Sequence, residues 1–225
     1  MMTRPFLSPF SFANTMPTML ITGATGGLGI VVAEHARLAA WNVFAIGQEH
    51  GDLANDALVQ RLIPEIPQDL SAVVHLVGGI EAGKPLDQTT PSELEHMLHL
   101  NVTTTFNVLR ATIPLLRSQG GGSIVTIGAQ SAVHPVPNKS LYAASKAAVV
   151  SLARSVAEEG REYGIRSNCI LPSVIRTEAN LSWAEGSMAD EWVTPEQIAS
   201  TILHLCSHQC SINGAVIPMY GRGSF

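Results

Sequence analysis

Tyr142 and Lys146 stand four residues apart in the run Ser140-Leu141-Tyr142-Ala143-Ala144-Ser145-Lys146. In a helix that spacing puts both side chains on one face. A phenol titrating near pH ~10 exchanges protons poorly at neutral pH, and a neighbouring cation that favours the phenolate makes it a usable acid or base. Lys146 is placed to be that cation. Taken alone, the spacing also arises by chance on surface helices, so its meaning depends on the elements that would position it.

Those elements alternate between short apolar runs and helical patterns. Thr18 to Thr22 leads into Gly23-Ala24-Thr25-Gly26-Gly27-Leu28-Gly29 and then a helical stretch from Ile30 to Ala40, which reads as strand, glycine turn, helix. Glycines let the backbone turn tightly and approach a pyrophosphate, whose charge is favoured by free N–H groups at a helix start. Asn42 to Gly47 predicts a second strand, at whose end an acid would bind a ribose 2'-hydroxyl and an Arg a 2'-phosphate; Gly47 and Gln48 are neither. Glu49, His50 and Asp52 follow with no Lys or Arg before Arg61, which leans toward the unphosphorylated dinucleotide. A helix over roughly Asn55 to Ile66 leaves too little chain for a further strand. One crossover, counted with the second half of the fold, is therefore expected to be shortened near residues 48–70.

Ser71 to Val77 predicts a third strand ending in Gly78-Gly79, with His75 inside it as a satisfied core histidine. A long helix is expected from Pro91 through Leu94, Met97, Leu98, Phe106 and Ile113. Asn101 interrupts its apolar face, in a position where Asn is disfavoured unless it has a partner. A strand over Ser123 to Ile127 precedes the helix of Tyr142 and Lys146, which should run to about Tyr163 and stop at Gly164. Ile165 to Leu171 is the next strand. The polar, Trp-containing stretch at 178–193 has the look of a lid. Thr194-Pro195-Glu196-Gln197 caps a last helix, and Gly214 to Met219 forms a final short strand. On that last helix His204, Cys206, His208 and Cys210 invite a metal reading, but the two like pairs face different sides. Core packing with surface histidines is the expectation, and no metal is assigned.

The 225 residues suit one domain over 18–225 with a core that needs no staples, behind a mobile tail at 1–17 that lacks the apolar run of a secretory signal. Met16, just before the first strand, would fit a later start. With 46% hydrophobic and 14% charged residues, the composition fits a sheet buried between helices. A net charge of -5 leaves no footprint for nucleic acid, and no apolar run reaches the ~20 residues of a membrane span. Three cysteines, an odd number, speak against a disulfide framework and for a reducing, cytoplasmic setting.

In this order the motifs resemble the short-chain dehydrogenase/reductase family from about Thr18 to Gly221. Thr22 to Gly29 resembles its TGxxxGxG turn, Tyr142 to Lys146 its YxxxK motif, Asn101 its helix asparagine, and Pro172 to Thr177 its PG-x-x-x-T segment, with Ser173 in place of Gly. The resemblance implies an α/β fold, a Rossmann-type doubly wound parallel sheet of six to seven strands with helices on both faces. It implies NAD(H) or NADP(H) held by Gly23, Thr25, Gly27, Leu28, Gly29, Gln48, Asp52, Leu53 and Gly78 on one side. On the other stand Asn101, Tyr142, Lys146, Pro172, Val174, Ile175 and Thr177. It further implies a small-molecule substrate near Ala129, Gln130, Ser131 and Ser173, and a homo-oligomer, tetramer or dimer, built on the helices at 91–118 and 140–163.

Two departures stand out. The family's catalytic Ser, thirteen residues before the Tyr, is Ala129 here, and its Asn-Asn-Ala-Gly is His75-Leu76-Val77-Gly78. Branches similar to dihydropteridine reductases work without that Ser. The expected activity is hydride transfer between the dinucleotide and a carbonyl or secondary alcohol. Tyr142 acts as general acid/base, Lys146 lowers its pKa and holds the nicotinamide ribose, and Asn101 positions a water leading to solvent. The alternative is a catalytically decayed protein that keeps the fold and the dinucleotide site.

Overall fold

Runs rich in Val, Ile and Leu become six parallel strands: β1 (Thr18–Thr22), β2 (Asn42–Ile46), β3 (Leu70–His75), β4 (Gly122–Ile127), β5 (Ile165–Pro172) and β6 (Val216–Met219). Their order is β2-β1-β3-β4-β5-β6. The structure, a computed structural model, describes residues 16–222, so the tail expected at 1–17 lies outside it except for Met16 and Pro17. The order reverses between β1 and β3, which opens a crevice at their C-terminal ends, the usual ligand site of such sheets.

Helices cover both faces. Helix α1 (Gly27–Leu38) follows the glycine turn, and α2 (Asp56–Leu62) fills the β2-to-β3 link together with a single turn of 3-10 helix, Ile63–Glu65. The crossover is short, as expected. It joins the two halves of the sheet and does not belong to the second, because it starts at the edge strand β2 and ends at the switch point. The long helix after Pro91 is three segments: α3 (Pro91–Met97), a π-helical stretch Leu98–Thr103, and α4 (Thr104–Ser118). Leu94, Leu98 and Phe106 on it are exposed, so the expected apolar stripe is only partly buried. Helix α5 (Ser140–Glu159) carries Tyr142 and Lys146; α6 (Glu178–Leu181) and α7 (Pro195–Cys206) follow.

Met19, Ile21, Val74, Val125 and Ile170 face one layer, packed against α1 and α7 residues such as Val32 and Ile198. Leu20, Val73 and Ile124 face the other, against Val59, Val108 and Val156 of α2, α4 and α5. The alternation along each strand reflects its period of two.

Helix α5 ends at Glu159, before the expected Tyr163. A Cβ on Gly160 would stand 2.8 Å from Ile165 Cβ, and the chain closes there through a 3-10 turn ending at Gly164, φ +72°. Helix α7 stops at Cys206, so His208 and Cys210 lie beyond it and the i, i+4 facing argument does not apply to them. Cys206 and Cys210 pack into the core beside α1. Among the described residues no group of three His, Cys, Asp or Glu side chains is arranged to hold a metal, and no helix is long and apolar enough to cross a membrane.

Candidate active site

Lys146 is 5% exposed, and its Nζ donates to Ile127 O at 3.0 Å. Burial lowers its pKa to about 8, so at neutral pH it remains mostly charged. Tyr142, one turn earlier, faces a cavity of about 360 Å³ at the switch point. Its phenol is pushed up to about 12 by burial. The net shift runs opposite to the expected lowering: the Lys146 ammonium donates to the β4 carbonyl of Ile127, and desolvation of the phenolate prevails.

Asn101 sits in the π-helical stretch, fully buried. Such widened turns recur at functional sites because they project a backbone or side chain out of register. Oδ1 accepts from Gly79 N at 3.0 Å, and Nδ2 donates to Gly79 O at 3.0 Å and to Ser145 Oγ at 3.1 Å. Ser145 in turn donates to Tyr142 O at 2.8 Å. The carboxamide thus ties the loop after β3 to the Tyr–Lys helix, a partnership that sequence spacing did not reveal. One lone pair of Oδ1 is left for the expected water.

Gly78 lets these groups meet. A Cβ there would lie 2.6 Å from Asn101 Oδ1 and 2.7 Å from Lys146 Nζ. In the glycine turn Gly23 has φ +75°, and a Cβ on Gly29 would stand 2.7 Å from Ala24 Cα. The N-terminus of α1 has Gly26 as its cap, no capping side chain and no acid in its first turn. That end therefore keeps its positive partial charge for an outside anion, and the cradle fits a dinucleotide pyrophosphate.

Of the other expected residues, Leu28, Ala129, Gln130, Ser131, Pro172, Ser173, Val174 and Ile175 line the same cavity. Thr177 packs its Cγ2 toward Gly27 and caps α6. Thr25 accepts from Gln48 N at 3.1 Å, placing both at the end of β2. Asp52 accepts from Ala54 N at 2.8 Å and contacts His99 Nε2 at 2.7 Å. The side chain of Leu53 does not reach the site: it is in the core, and its carbonyl accepts from Asn107. Ser173 Oγ donates to Tyr220 O at 2.8 Å. Ser131 is 8% exposed, and its hydroxyl has no hydrogen-bond partner among the described residues. Trp183 and Asn180, from the 178–193 segment expected as a lid, also line the cavity, as do Ile80 and His134, which were not expected. No motif marks them; they arrive by loop geometry. Trp183 leans on Trp192 with ring centroids 4.9 Å apart.

His75 is half satisfied. Nδ1 meets Thr22 Oγ1 at 2.7 Å, while the buried Nε2 has no partner among the described residues, which corrects the expectation of a fully satisfied core histidine. Burial, with the charge of Lys146 adding to it, drives its pKa down to about 3. The unfolded chain, with an ordinary His near ~6.5, then binds the extra proton between the two values, so stability falls as pH drops through that window. Urea unfolding from pH 7 toward pH 4 should show a loss of about 1 kcal/mol per pH unit from this group, and His75→Asn should flatten that slope.

A crevice at the switch point, floored by a glycine turn and walled by a Tyr–Lys helix, places the chain in the Rossmann class of nucleotide-binding α/β proteins. The family model described as enoyl-(acyl carrier protein) reductase matches residues 33–221. Protein FixR of Bradyrhizobium diazoefficiens is 29% identical, covering 90% of this chain and 85% of its own. The 3-oxoacyl-(acyl-carrier-protein) reductase MabA of Mycobacterium tuberculosis is 27% identical, covering 91% of each. Among solved structures, ElxO with NADP bound superposes with TM-score 0.85 at 21% identity, over 92% of this chain and 98% of that one. The 3-ketoacyl-(acyl-carrier-protein) reductase of Brucella melitensis complexed with NADH does so with TM-score 0.84, at the same identity and coverage. The chain belongs to the short-chain dehydrogenase/reductase family, and with it to the NAD(P)-dependent oxidoreductases.

Proposed function

We propose that the protein reduces a carbonyl group of a small molecule, with Tyr142 as the proton donor. The observation that carries this reading is that Tyr142 and Lys146 share one cavity with Ser131 and with Leu28 beside the glycine turn. The dinucleotide supplies the hydride. Tyr142 gives its proton to the carbonyl oxygen, and a phenol near 12 is held in the protonated form that reduction needs. Lys146 stays charged under the cavity, where it holds the nicotinamide ribose and returns a proton to Tyr142. Asn101 keeps Gly79 and α5 in place and offers its remaining lone pair to a water on the proton's way out. Ser131 donates a hydrogen bond to the substrate oxygen in place of the hydroxyl missing at Ala129, and the Trp183 segment closes over it as a lid.

MabA and the Brucella protein are named as reductases of 3-oxoacyl and 3-ketoacyl carrier-protein thioesters, so 3-oxoacyl thioesters head the substrate panel. Exposed Leu94, Leu98 and Phe106 support a homo-oligomer packed through the helices at 91–118 and 140–163, and three free cysteines support a cytoplasmic setting.

The test follows nicotinamide absorbance with a panel of 3-oxoacyl thioesters, ketones and quinonoid compounds. Ser131→Ala should lower kcat/KM on the substrate found by about 10-fold or more, the worth of one hydrogen bond to developing charge, with dinucleotide affinity unchanged. Dinucleotide binding without turnover of any carbonyl would reject the reading.

A further inference from the structure

The end of β2 carries no acid, yet the structure delivers one. A Cβ on Gly47 would have both carboxylate oxygens of Glu49 within 2.7 Å and would press on Thr25 Cγ2. The oxygens of an aspartate lie roughly 2.4 Å from their own Cβ, as ordinary C–C and C–O lengths dictate. Glu49 therefore curls back over Gly47 and holds its carboxylate about where an aspartate at position 47 would hold one. The room for it exists because residue 47 has no side chain.

The surroundings leave that charge available. Gly47 N–H donates to His50 Nδ1 at 3.1 Å, so this ring nitrogen is an acceptor, and the Glu49 oxygen 3.3 Å from it meets a lone pair. The Glu49 side chain is 61% exposed and borders Thr25, the glycine-turn residue whose hydroxyl receives Gln48 N–H. In a doubly wound dinucleotide site, an acid at this place, some 20 residues beyond the glycines, takes the ribose 2'-hydroxyl and repels a 2'-phosphate.

We propose that Glu49, seated over Gly47, is the residue that selects NAD(H) against NADP(H). The proposal rests on the dinucleotide-dependent reading above. Two charge-assisted hydrogen bonds to a ribose, replaced by repulsion when the 2'-oxygen bears a phosphate, amount to roughly 30-fold or more in affinity.

The test is the Kd of NADH and of NADPH for the full chain, measured by fluorescence of the reduced nicotinamide. The wild type should bind NADH about 30-fold or more tightly than NADPH, and Glu49→Gln should shrink that ratio about 10-fold. A triple variant, Thr25→Ser with Gly47→Asp and Glu49→Gln, should recover the preference. The serine removes the methyl that the new Cβ would strike and keeps the hydroxyl bonded to Gln48 N. Equal affinity of the wild type for both dinucleotides overturns the proposal and leaves the carbonyl-reductase reading standing, as does an unchanged ratio in Glu49→Gln or a folded triple variant without preference. Failure to bind either dinucleotide overturns the reading on which the proposal rests.

Discussion

Tyr142→Phe should lower the turnover of carbonyl reduction by about 10²–10⁴-fold, the ordinary worth of one well-placed general acid, while the Kd of the dinucleotide stays within about two-fold. The ring fills the same space without its hydroxyl, so packing along α5 is preserved and the loss falls on kcat. Residual turnover should persist because holding donor and acceptor together supplies much of the rate by itself. The pH profile offers a second readout. With the phenol near 12 and Lys146 near 8, reduction should weaken as pH rises through about 8, when the ammonium that returns the proton is lost. The variant should lose that dependence along with its rate. Turnover surviving nearly intact would remove Tyr142 from the mechanism.

Gly78→Ala should damage the site more broadly, through a single methyl. The added Cβ would lie 2.6 Å from Asn101 Oδ1 and 2.7 Å from Lys146 Nζ, and neither can yield cheaply. Asn101 is locked by three hydrogen bonds to Gly79 and Ser145, and Lys146 is buried with its ammonium on Ile127 O. Overpacking of this kind costs about 1–3 kcal/mol of stability, and moving a reacting group by an ångström costs about 10²-fold in rate. The expected result is a lowered urea midpoint together with kcat reduced about 10²-fold or more. Unchanged kinetics would show that the Gly78 loop relaxes away from Asn101 and Lys146 without consequence.

Features set within a few residues of one another were legible in the sequence, and features set by contacts between distant segments were not. The glycine turn and the Tyr142–Lys146 spacing were legible because each is local: one is a backbone requirement within seven residues, the other a consequence of helix pitch. Strand positions were legible for the same reason, since runs such as Ser71 to Val77 announce burial on both faces. The end of α5 was misjudged by four residues because the chain tightens into a 3-10 turn at Gly160, where only a glycine fits beside Ile165 of the next strand, and the facing argument for His204 to Cys210 presumed a helix that stops at Cys206. The side chain of Leu53 completes the core under β2, which its position in the sequence did not reveal.

The sequence by itself determined the class of fold and singled out the Tyr142–Lys146 pair proposed for proton transfer, since periodicity, glycine placement and i, i+4 spacing act within one or two elements. Only the tertiary structure decided how that pair is tuned. The phenol is raised by burial, Asn101 is held by a loop and a helix from distant parts of the chain, and the Ser131 hydroxyl is buried with no hydrogen-bond partner among the described residues. Glu49 belongs to the same group. Its charge is visible in the sequence, but its position over Gly47 depends on a loop folding back through space, and solvation, packing and charge all act through distance in space, not along the chain.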